Sequence, residues 1–165
     1  MTSATPLETC LVLVTRTSDG ADEVLLGRKL RGFGRSRVVA PGGKIDAGES
    51  AQEAAARELE EETGLRAQTL APAGVLDFRF SHDDLTQDMQ AHVFIASDAL
   101  GAVQDSDEIA GRWVRQDEIP YVEMWPDARH WMPRALAGTL RHALFVYGAD
   151  GVTCLLYTSP SPRDS

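Results

Sequence analysis

The chain has 165 residues, of which 43% are hydrophobic, and its formal net charge is −9. The length suits one domain with a substantial core, and the acidic balance argues against a nucleic-acid polymer as partner. The chain lacks a secretory signal pattern at its start and any apolar stretch of membrane-spanning length, so we expect a cytoplasmic monomer with no membrane partner.

The first predicted elements are two strands, at residues 9–15 and 23–28, joined by a turn at residues 18–20. A loop rich in glycine and arginine follows, with a short strand at Val38 and Val39. Cys10 lies in the first strand. Together with Cys154 it makes two cysteines, which predict neither a disulfide framework nor a zinc site.

A helix is predicted between two glycines, Gly48 and Gly64. Ser50 and Glu53 have the spacing of a capping box, in which each side chain bonds the other residue's backbone N–H. Alanine, leucine and glutamate favour the helix as far as Gly64, which suits the left-handed position after a helix end. We therefore expect a helix that begins at Ser50 and ends at Gly64.

The helical period places three glutamates in line with small apolar residues. At about 100° per residue, Glu58, Glu61 and Glu62 continue the stripe that begins with Ala51, Ala54 and Ala55. These acids are therefore expected to turn toward the body of the protein. The charged residues Glu53, Arg57 and Glu60 are expected to point away from the body of the protein.

The second half of the chain predicts more strands and one more helix. Strands are expected at residues 70–80 and 89–96, on either side of a polar loop at 81–87, and at 111–115. A tight connection over 117–124 leads to a helix over 127–137, with Asp127 as its N-cap and Pro133 restricting its middle. Residues 141–147 and 152–157 predict a terminal hairpin. Strands before, between and after two helices indicate an α/β fold with helices on the faces of a mixed sheet.

The last residues, CLLYTSPSPRDS, match the translation of a common sequencing-library adaptor. We therefore predict a single domain over residues 1–153 and a non-native read-through tail over 154–165. The alternative is a genuine strand followed by a disordered tail rich in serine and proline. The codons of the underlying DNA decide between the two.

The three glutamates in one stripe point to a divalent cation. Like charges three and four residues apart repel, and partial burial raises the cost of each ionised carboxylate. Mg²⁺ prefers oxygen ligands and commonly bridges carboxylates to substrate phosphates. Arg57 lies one turn before Glu61 and is placed to orient it. The alternative is a solvated acidic helix, which would not require Gly42 and Gly43 before it.

Residues 43–65, GKIDAGESAQEAAARELEEETGL, resemble the signature of the Nudix hydrolases, the Nudix box. Its fixed polar and glycine positions are filled by Gly43, Glu49, Arg57, Glu58, Glu61, Glu62 and Gly64. The resemblance implies an α/β/α sandwich with a mixed sheet and a Mg²⁺-dependent site that cleaves diphosphates, with Mn²⁺ as an alternative metal. It also implies that the carbonyl of Gly42 completes the metal shell.

Two further stretches, 24–34 and 106–131, resemble the Nudix branch that hydrolyses oxidised purine nucleoside triphosphates. The resemblance implies that Glu108 is a fourth acid, acting as metal ligand or general base, and that Trp125 stacks on the base while Asp127 bonds its edge. It places the remaining substrate-binding positions in the pocket walls, beside the sugar or phosphates and in the glycine loop. These are Thr9, Lys29, Phe33, Val39, Gly43, Lys44, Phe80 (or Phe78) and Trp131.

Two positions depart from that branch. Val39 replaces an asparagine that bonds the base, and Ala128 replaces a second aspartate. The resemblance thus implies hydrolysis of oxidised purine nucleoside triphosphates, such as 8-oxo-dGTP or 2-hydroxy-dATP, to the monophosphate and pyrophosphate, which cleans the nucleotide pool. The rival interpretations are a Nudix hydrolase of ADP-ribose, dinucleoside polyphosphates or undamaged dNTPs, and a non-catalytic nucleotide sensor.

Overall fold

A computed structural model describes residues 5–80, 87–150 and 152–158 of the chain. Within these ranges there are two α-helices, α1 (Ala51–Thr63) and α2 (Ala128–Leu136). The same ranges contain nine strands: β1 (Leu7–Ser18), β2 (Ala21–Lys29), β3 (Val38–Val39), β4 (Gly42–Lys44), β5 (Ala71–Phe80), β6 (Met89–Ala96), β7 (Ile109–Arg115), β8 (His142–Tyr147) and β9 (Cys154–Thr158).

The strands form a mixed sheet, as predicted. Its main path runs β3-β2-β1-β6-β5-β8-β9, while β4 pairs with β1 and β7 pairs with β2. The β1–β6 and β5–β8 pairs are parallel and the others are antiparallel. The predicted turn between the first two strands is confirmed, with Asp19 and Gly20 both at positive φ. Most of the predicted polar loop at 81–87 lies outside the described residues.

The sheet has a hydrophobic core on each face. On β1, Leu13 belongs to the core that contains Trp131 and Met132 of α2. Its neighbours Val12 and Val14 belong to the core under α1. Because successive strand residues point to opposite faces, this alternation places the two helices on opposite sides of the sheet. The predicted layers of helix, sheet and helix are confirmed.

The start and end of α1 follow the local rules that predicted them. Ser50 accepts a bond from the backbone N–H of Glu53, and the Glu53 carboxylate accepts one from the N–H of Ser50. Gly64 closes the helix with φ 79°. Helix α2 begins after Asp127 and contains Pro133, as expected, but the Asp127 carboxylate turns into the protein rather than capping the helix.

One strand was not predicted. Gly42 and Gly43, expected in a loop, belong to β4, which pairs with β1 at Leu11 and Cys10. A three-residue strand with two glycines has no side-chain alternation by which it could be recognised. The expected close backbone approach at these glycines is nevertheless confirmed, because a Cβ on Gly42 would overlap the carbonyl oxygen of Cys10.

The last described residues, Cys154–Thr158, pair with β8 as β9. The domain boundary at residue 153 and the read-through origin of residues 154–165 stay predictions. Among the described residues, the structure has no helix long and apolar enough to cross a membrane.

Candidate active site

The C-terminal half of α1 lies against the backbone of β4. The Gly42 N–H donates to Oε1 of Glu62 at 3.0 Å. The Glu58 carboxylate lies so close to Gly43 that a Cβ there would overlap its Oε2. The glycine pair therefore leaves room for two carboxylates between the helix and the sheet.

Arg57 fixes the loop that leads into the helix. Its guanidinium binds both carboxylate oxygens of Glu49, at 2.7 and 2.9 Å, and donates to the Lys44 carbonyl at 3.1 Å. It also contacts Glu58 at 2.9 Å and Glu61 at 3.3 Å. The expected contact with Glu61 is present. The expectation that Arg57 turns away is wrong, because its long side chain reaches back over the loop and is only 30% exposed.

The three box glutamates differ in burial. The Glu58 side chain is 15% exposed and Glu62 is half-buried, so both turn inward as predicted. The Glu61 side chain is 57% exposed, so the expectation that it turns toward the body of the protein is wrong. It lies at the edge of the stripe, where the helix surface meets solvent.

Burial changes the acidity of the two inner carboxyl groups. It raises the pKa of Glu62 to about 7, an effect that the Gly42 N–H opposes and that the charge of Glu58 reinforces. Burial also raises the pKa of Glu58, against the opposing charge of Arg57. In contrast, hydrogen bonds from Arg57 hold the pKa of the Glu49 carboxyl at about 2. The ionised forms of Glu58 and Glu62 are therefore destabilised where they lie.

A cavity of about 240 Å³ opens beside Glu62. It brings together most of the predicted site residues, namely Thr9, Lys29, Phe33, Val39, Gly42, Gly43, Phe80, Glu108, Trp125, Asp127 and Trp131. The predicted residues Arg57, Glu58 and Glu61 lie next to this cavity rather than in its wall, through their contacts with Gly43 and with each other. Lys44 is exposed, and it is its carbonyl that bonds Arg57.

At the inner end of the cavity, Asp127 is held from two directions. The indole N–H of Trp131 donates to Oδ2 at 2.8 Å, and the Tyr147 hydroxyl donates to Oδ1. Asp127 is only 6% exposed, and its burial raises its pKa. Tyr147 is the last residue of the predicted strand 141–147, and nothing in the local sequence shows that this strand ends beside Asp127.

Trp125 already has neighbours over its ring. The Phe33 ring stacks on it with centroids 5.1 Å apart, and the Arg37 guanidinium lies 4.0 Å from its centroid. Arg37 also donates to the Met124 carbonyl at 3.2 Å, which fixes it in place. Phe33 is 57% exposed, so it is the neighbour with room to move.

Glu108 forms an ion pair at the mouth of the cavity. Both Nε and Nη2 of Arg31 donate to its Oε1, at 3.0 and 2.7 Å. The side chains of Arg31 and Glu108 are 62% and 43% exposed. The predicted fourth acid thus lies in the wall of the same cavity as Glu62 and Lys29, and its charge adds to the rise in the pKa of Glu62.

The donors fit a hard divalent cation in their chemistry. Carboxylate oxygens converge beside a glycine position that a Cβ would fill, and burial penalises their ionised forms, which a cation would stabilise. Across the described residues, however, no three acidic, imidazole or thiol groups are arranged around one point as a metal site. Arg57, Arg31 and the Gly42 N–H hold these carboxylates instead.

A profile of the NUDIX domain matches residues 6–135, which include α1, β4 and all the cavity residues except Tyr147. The chain belongs to the Nudix family.

Its relatives agree with this assignment. The Nudix chain is 40% identical over 113 residues to the oxidized purine nucleoside triphosphate hydrolase of Mus musculus, which covers 68% of this chain and 71% of the mouse protein. It is 40% identical over 126 residues to the protein of the same name from Danio rerio, covering 76% and 77%. A crystal structure of a MutT mutator protein from Bacillus halodurans superimposes with a TM-score of 0.79 at 26% identity, covering 92% of this chain and 96% of that one.

The raised pKa of Glu62 in this Nudix domain predicts how its stability varies with pH. Between pH 4.5 and about 7 the folded protein holds a proton that the unfolded chain has lost, so lowering the pH through this window stabilises the fold. The gap corresponds to at most about 3 kcal/mol. We expect the thermal midpoint, measured in EDTA, to rise as the pH falls from 8 to 5.5.

Two variants test the origin of this effect. Glu62→Gln should reduce the slope, because the amide carries no titrating proton, while the raised pKa of Glu58 keeps part of it. Glu60→Gln, on the exposed face of the same helix, should keep the wild-type slope. A wild-type slope in Glu62→Gln would show that another group binds the proton.

Proposed function

We propose that this Nudix hydrolase cleaves purine nucleoside triphosphates, including oxidised ones such as 8-oxo-dGTP and 2-hydroxy-dATP, to the monophosphate and pyrophosphate. The observation that carries the proposal is the lining of the cavity. Aromatic side chains contact the buried carboxylate of Asp127, and Glu62 and the glycines of β4 line the same cavity. The aromatic region is chemically suited to a nucleobase, and the region beside Glu62 and the glycines is chemically suited to a polyphosphate. The names of the mouse and zebrafish relatives support the oxidised purines.

Four acids would hold the cation: Glu58, Glu61, Glu62 and Glu108, with the carbonyl of Gly42. Bound Mg²⁺, or Mn²⁺ in its place, supplies charge neutralisation at the phosphates and lowers the pKa of water. Arg57 keeps the loop and Glu58 in position through Glu49. Either Glu62, with its pKa of about 7, or Glu108 would accept the proton from the attacking water.

The aromatic end would hold the base. Trp125 and Phe33 offer stacking surfaces, Trp131 and Phe80 form walls, and Asp127 accepts hydrogen bonds from the base edge. On the phosphate side, Lys29 lines the cavity and provides a positive charge. Thr9 lines the same cavity, with its hydroxyl donating to the Gln90 carbonyl at 3.1 Å. In the cell, such an enzyme would remove damaged precursors before they enter DNA.

A second candidate is hydrolysis of undamaged dNTPs, ADP-ribose or dinucleoside polyphosphates. The observation that favours it is the apolar lining at two positions, Val39 in the wall and Ala128, which is 3% exposed. A site loses discrimination by hydrogen bonding when the bonding side chains are apolar. A non-catalytic nucleotide sensor is a third possibility, and any metal-dependent release of pyrophosphate excludes it.

The test is a comparison of kcat/KM for 8-oxo-dGTP, 2-hydroxy-dATP, dGTP and ADP-ribose, with Mg²⁺ and the full chain. Products are separated by ion-exchange chromatography, so that pyrophosphate is distinguished from stepwise loss of phosphate. Preference for an oxidised purine over dGTP supports pool cleaning. Equal rates on the triphosphates support the broader interpretation, and preference for ADP-ribose refutes the triphosphate proposal.

Val39→Asn should restore discrimination between bases. The side chain lines the cavity on β3, so an amide there can bond a base edge that valine cannot. We expect the ratio of kcat/KM for 8-oxo-dGTP to that for dGTP to change by roughly 10- to 100-fold. Val39→Leu is close to asparagine in shape and lacks its polar atoms, so it should leave the ratio near the wild-type value. Equal shifts in both variants would attribute the effect to shape alone.

A further inference from the structure

The end of β2 and the loop that leads to β3 concentrate positive charge in an acidic protein. Five of the 16 lysines and arginines lie within residues 28–37, and none of the 25 acids does. The loop closes on itself, since the N–H of Lys29 donates to the carbonyl of Arg37 and the N–H of Ser36 donates to the carbonyl of Lys29. Three cations of this segment lie at the cavity: Lys29 lines it, while Arg31 and Arg37 contact the lining residues Glu108 and Trp125.

Two of the arginines in this segment have structural partners. Arg28 bonds the Ser36 carbonyl and the Glu123 carboxylate. Arg37 lies over Trp125 and bonds the Met124 carbonyl. Arg31 differs, because its partner is Glu108, a residue of the cavity wall that the proposed function assigns to a cation.

The contact between Arg31 and Glu108 is of a kind that another partner of Arg31 can replace. Both donors of Arg31 meet the same oxygen of Glu108, and both side chains are well exposed, at 62% and 43%. Pairs of this kind are weak, because water screens them. If Glu108 turned to a bound cation, the guanidinium of Arg31 would lose its partner, and its fork of N–H groups matches phosphate oxygens.

We propose that Arg31 is a substrate-positioning residue that exchanges the Glu108 carboxylate for the terminal phosphates of a nucleoside triphosphate. The inference rests on the proposed function for its substrate class. It couples Glu108 to Arg31: when Glu108 turns to the cation, the guanidinium of Arg31 becomes available to the polyphosphate. Affinity for the triphosphate then exceeds affinity for the monophosphate by an amount that depends on Arg31.

Binding of α,β-methylene-dGTP tests the inference without turnover, because this analogue resists cleavage between its α- and β-phosphates. Calorimetry with Mg²⁺ and the full chain compares wild type with Arg31→Gln, and dGMP serves as the ligand without terminal phosphates. We expect Arg31→Gln to weaken the triphosphate analogue at least 10-fold and dGMP less than 2-fold. Arg31→Lys should recover part of the loss.

Arg115→Gln is the matched control. Arg115 also donates two bonds to one exposed acid, Asp117, but at the other end of β7, so its loss should change neither affinity. Wild-type affinity for the analogue in Arg31→Gln would overturn the inference, as would equal weakening of both ligands or failure of wild type to bind the analogue. If wild type binds it and Arg31→Gln does not, the inference stands even where wild type releases no pyrophosphate from dGTP, 8-oxo-dGTP or 2-hydroxy-dATP, which would refute the proposed function alone.

Discussion

Glu62→Gln should lower kcat by roughly 10²- to 10⁴-fold while leaving the protein folded. The substitution removes a carboxylate beside the cavity but keeps an oxygen that can accept the bond from the Gly42 N–H. It also removes a buried acid whose ionisation is unfavourable, so the thermal midpoint at pH 8 should stay the same or rise. Glu61→Gln should lower kcat to a comparable degree, because its carboxylate is a proposed ligand of the same cation.

The control for this result lies on the same helix. Glu60 is exposed and makes a loose ion pair with Arg66 at 3.8 Å. Glu60→Gln removes the same charge from a neighbouring position and should keep kcat within about 2-fold of wild type, as expected for a surface change. Initial rates of pyrophosphate release measure all three variants. Near-wild-type turnover in Glu62→Gln or Glu61→Gln would remove that residue from the machinery.

Gly43→Ala and Gly42→Ala should fail in different ways. A Cβ on Gly43 would overlap the flexible end of Glu58, so the carboxylate moves aside and the fold survives. A Cβ on Gly42 would overlap the backbone carbonyl of Cys10, which is paired in the sheet and cannot move alone. We therefore expect Gly43→Ala to lose at least about 10²-fold in kcat/KM with a nearly unchanged midpoint. Gly42→Ala should lose about 2–4 kcal/mol of stability.

Chemical denaturation and steady-state kinetics on both variants separate these outcomes. Gly48→Ala provides a comparison at a glycine where a Cβ would meet open space but φ is 84°, so it reports backbone strain alone. Full activity in Gly43→Ala would mean that the position of Glu58 beside β4 does not matter for turnover. Unchanged stability in Gly42→Ala would mean that β1 and β4 separate more easily than their pairing indicates.

Local rules predicted the elements whose causes are local. The capping residues Ser50 and Glu53 lie three positions apart, and Gly64 ends the helix by its own backbone freedom, so the sequence contains the whole explanation. The layered mixed sheet was predicted from the order of elements, with support from the resemblance to a known family. Pairing of β1 with β6 and of β5 with β8 joins distant segments, and nothing local specifies it.

The site shows the same division. A helical wheel placed Glu58 and Glu62 correctly but not Glu61, which lies at the edge of the stripe where the helix meets solvent. It misplaced Arg57, whose long side chain reaches partners eight and thirteen residues earlier. It gave no role to Tyr147, which meets Asp127 only because β8 and α2 come together in the folded chain. Interactions that depend on reach or on tertiary contact were the ones missed.

The bonds of Glu49 should restrict the length of the segment between β4 and α1. Glu49 accepts from the Asp46 N–H at 2.9 Å and from the guanidinium of Arg57, which in turn bonds the Lys44 carbonyl. These hydrogen bonds close residues 44–57 into a loop that is held at both ends. An added or deleted residue within it would rotate the helix start relative to the sheet, and Glu58 would no longer face Gly43. The number of residues between Gly43 and Glu58 is therefore set by these contacts.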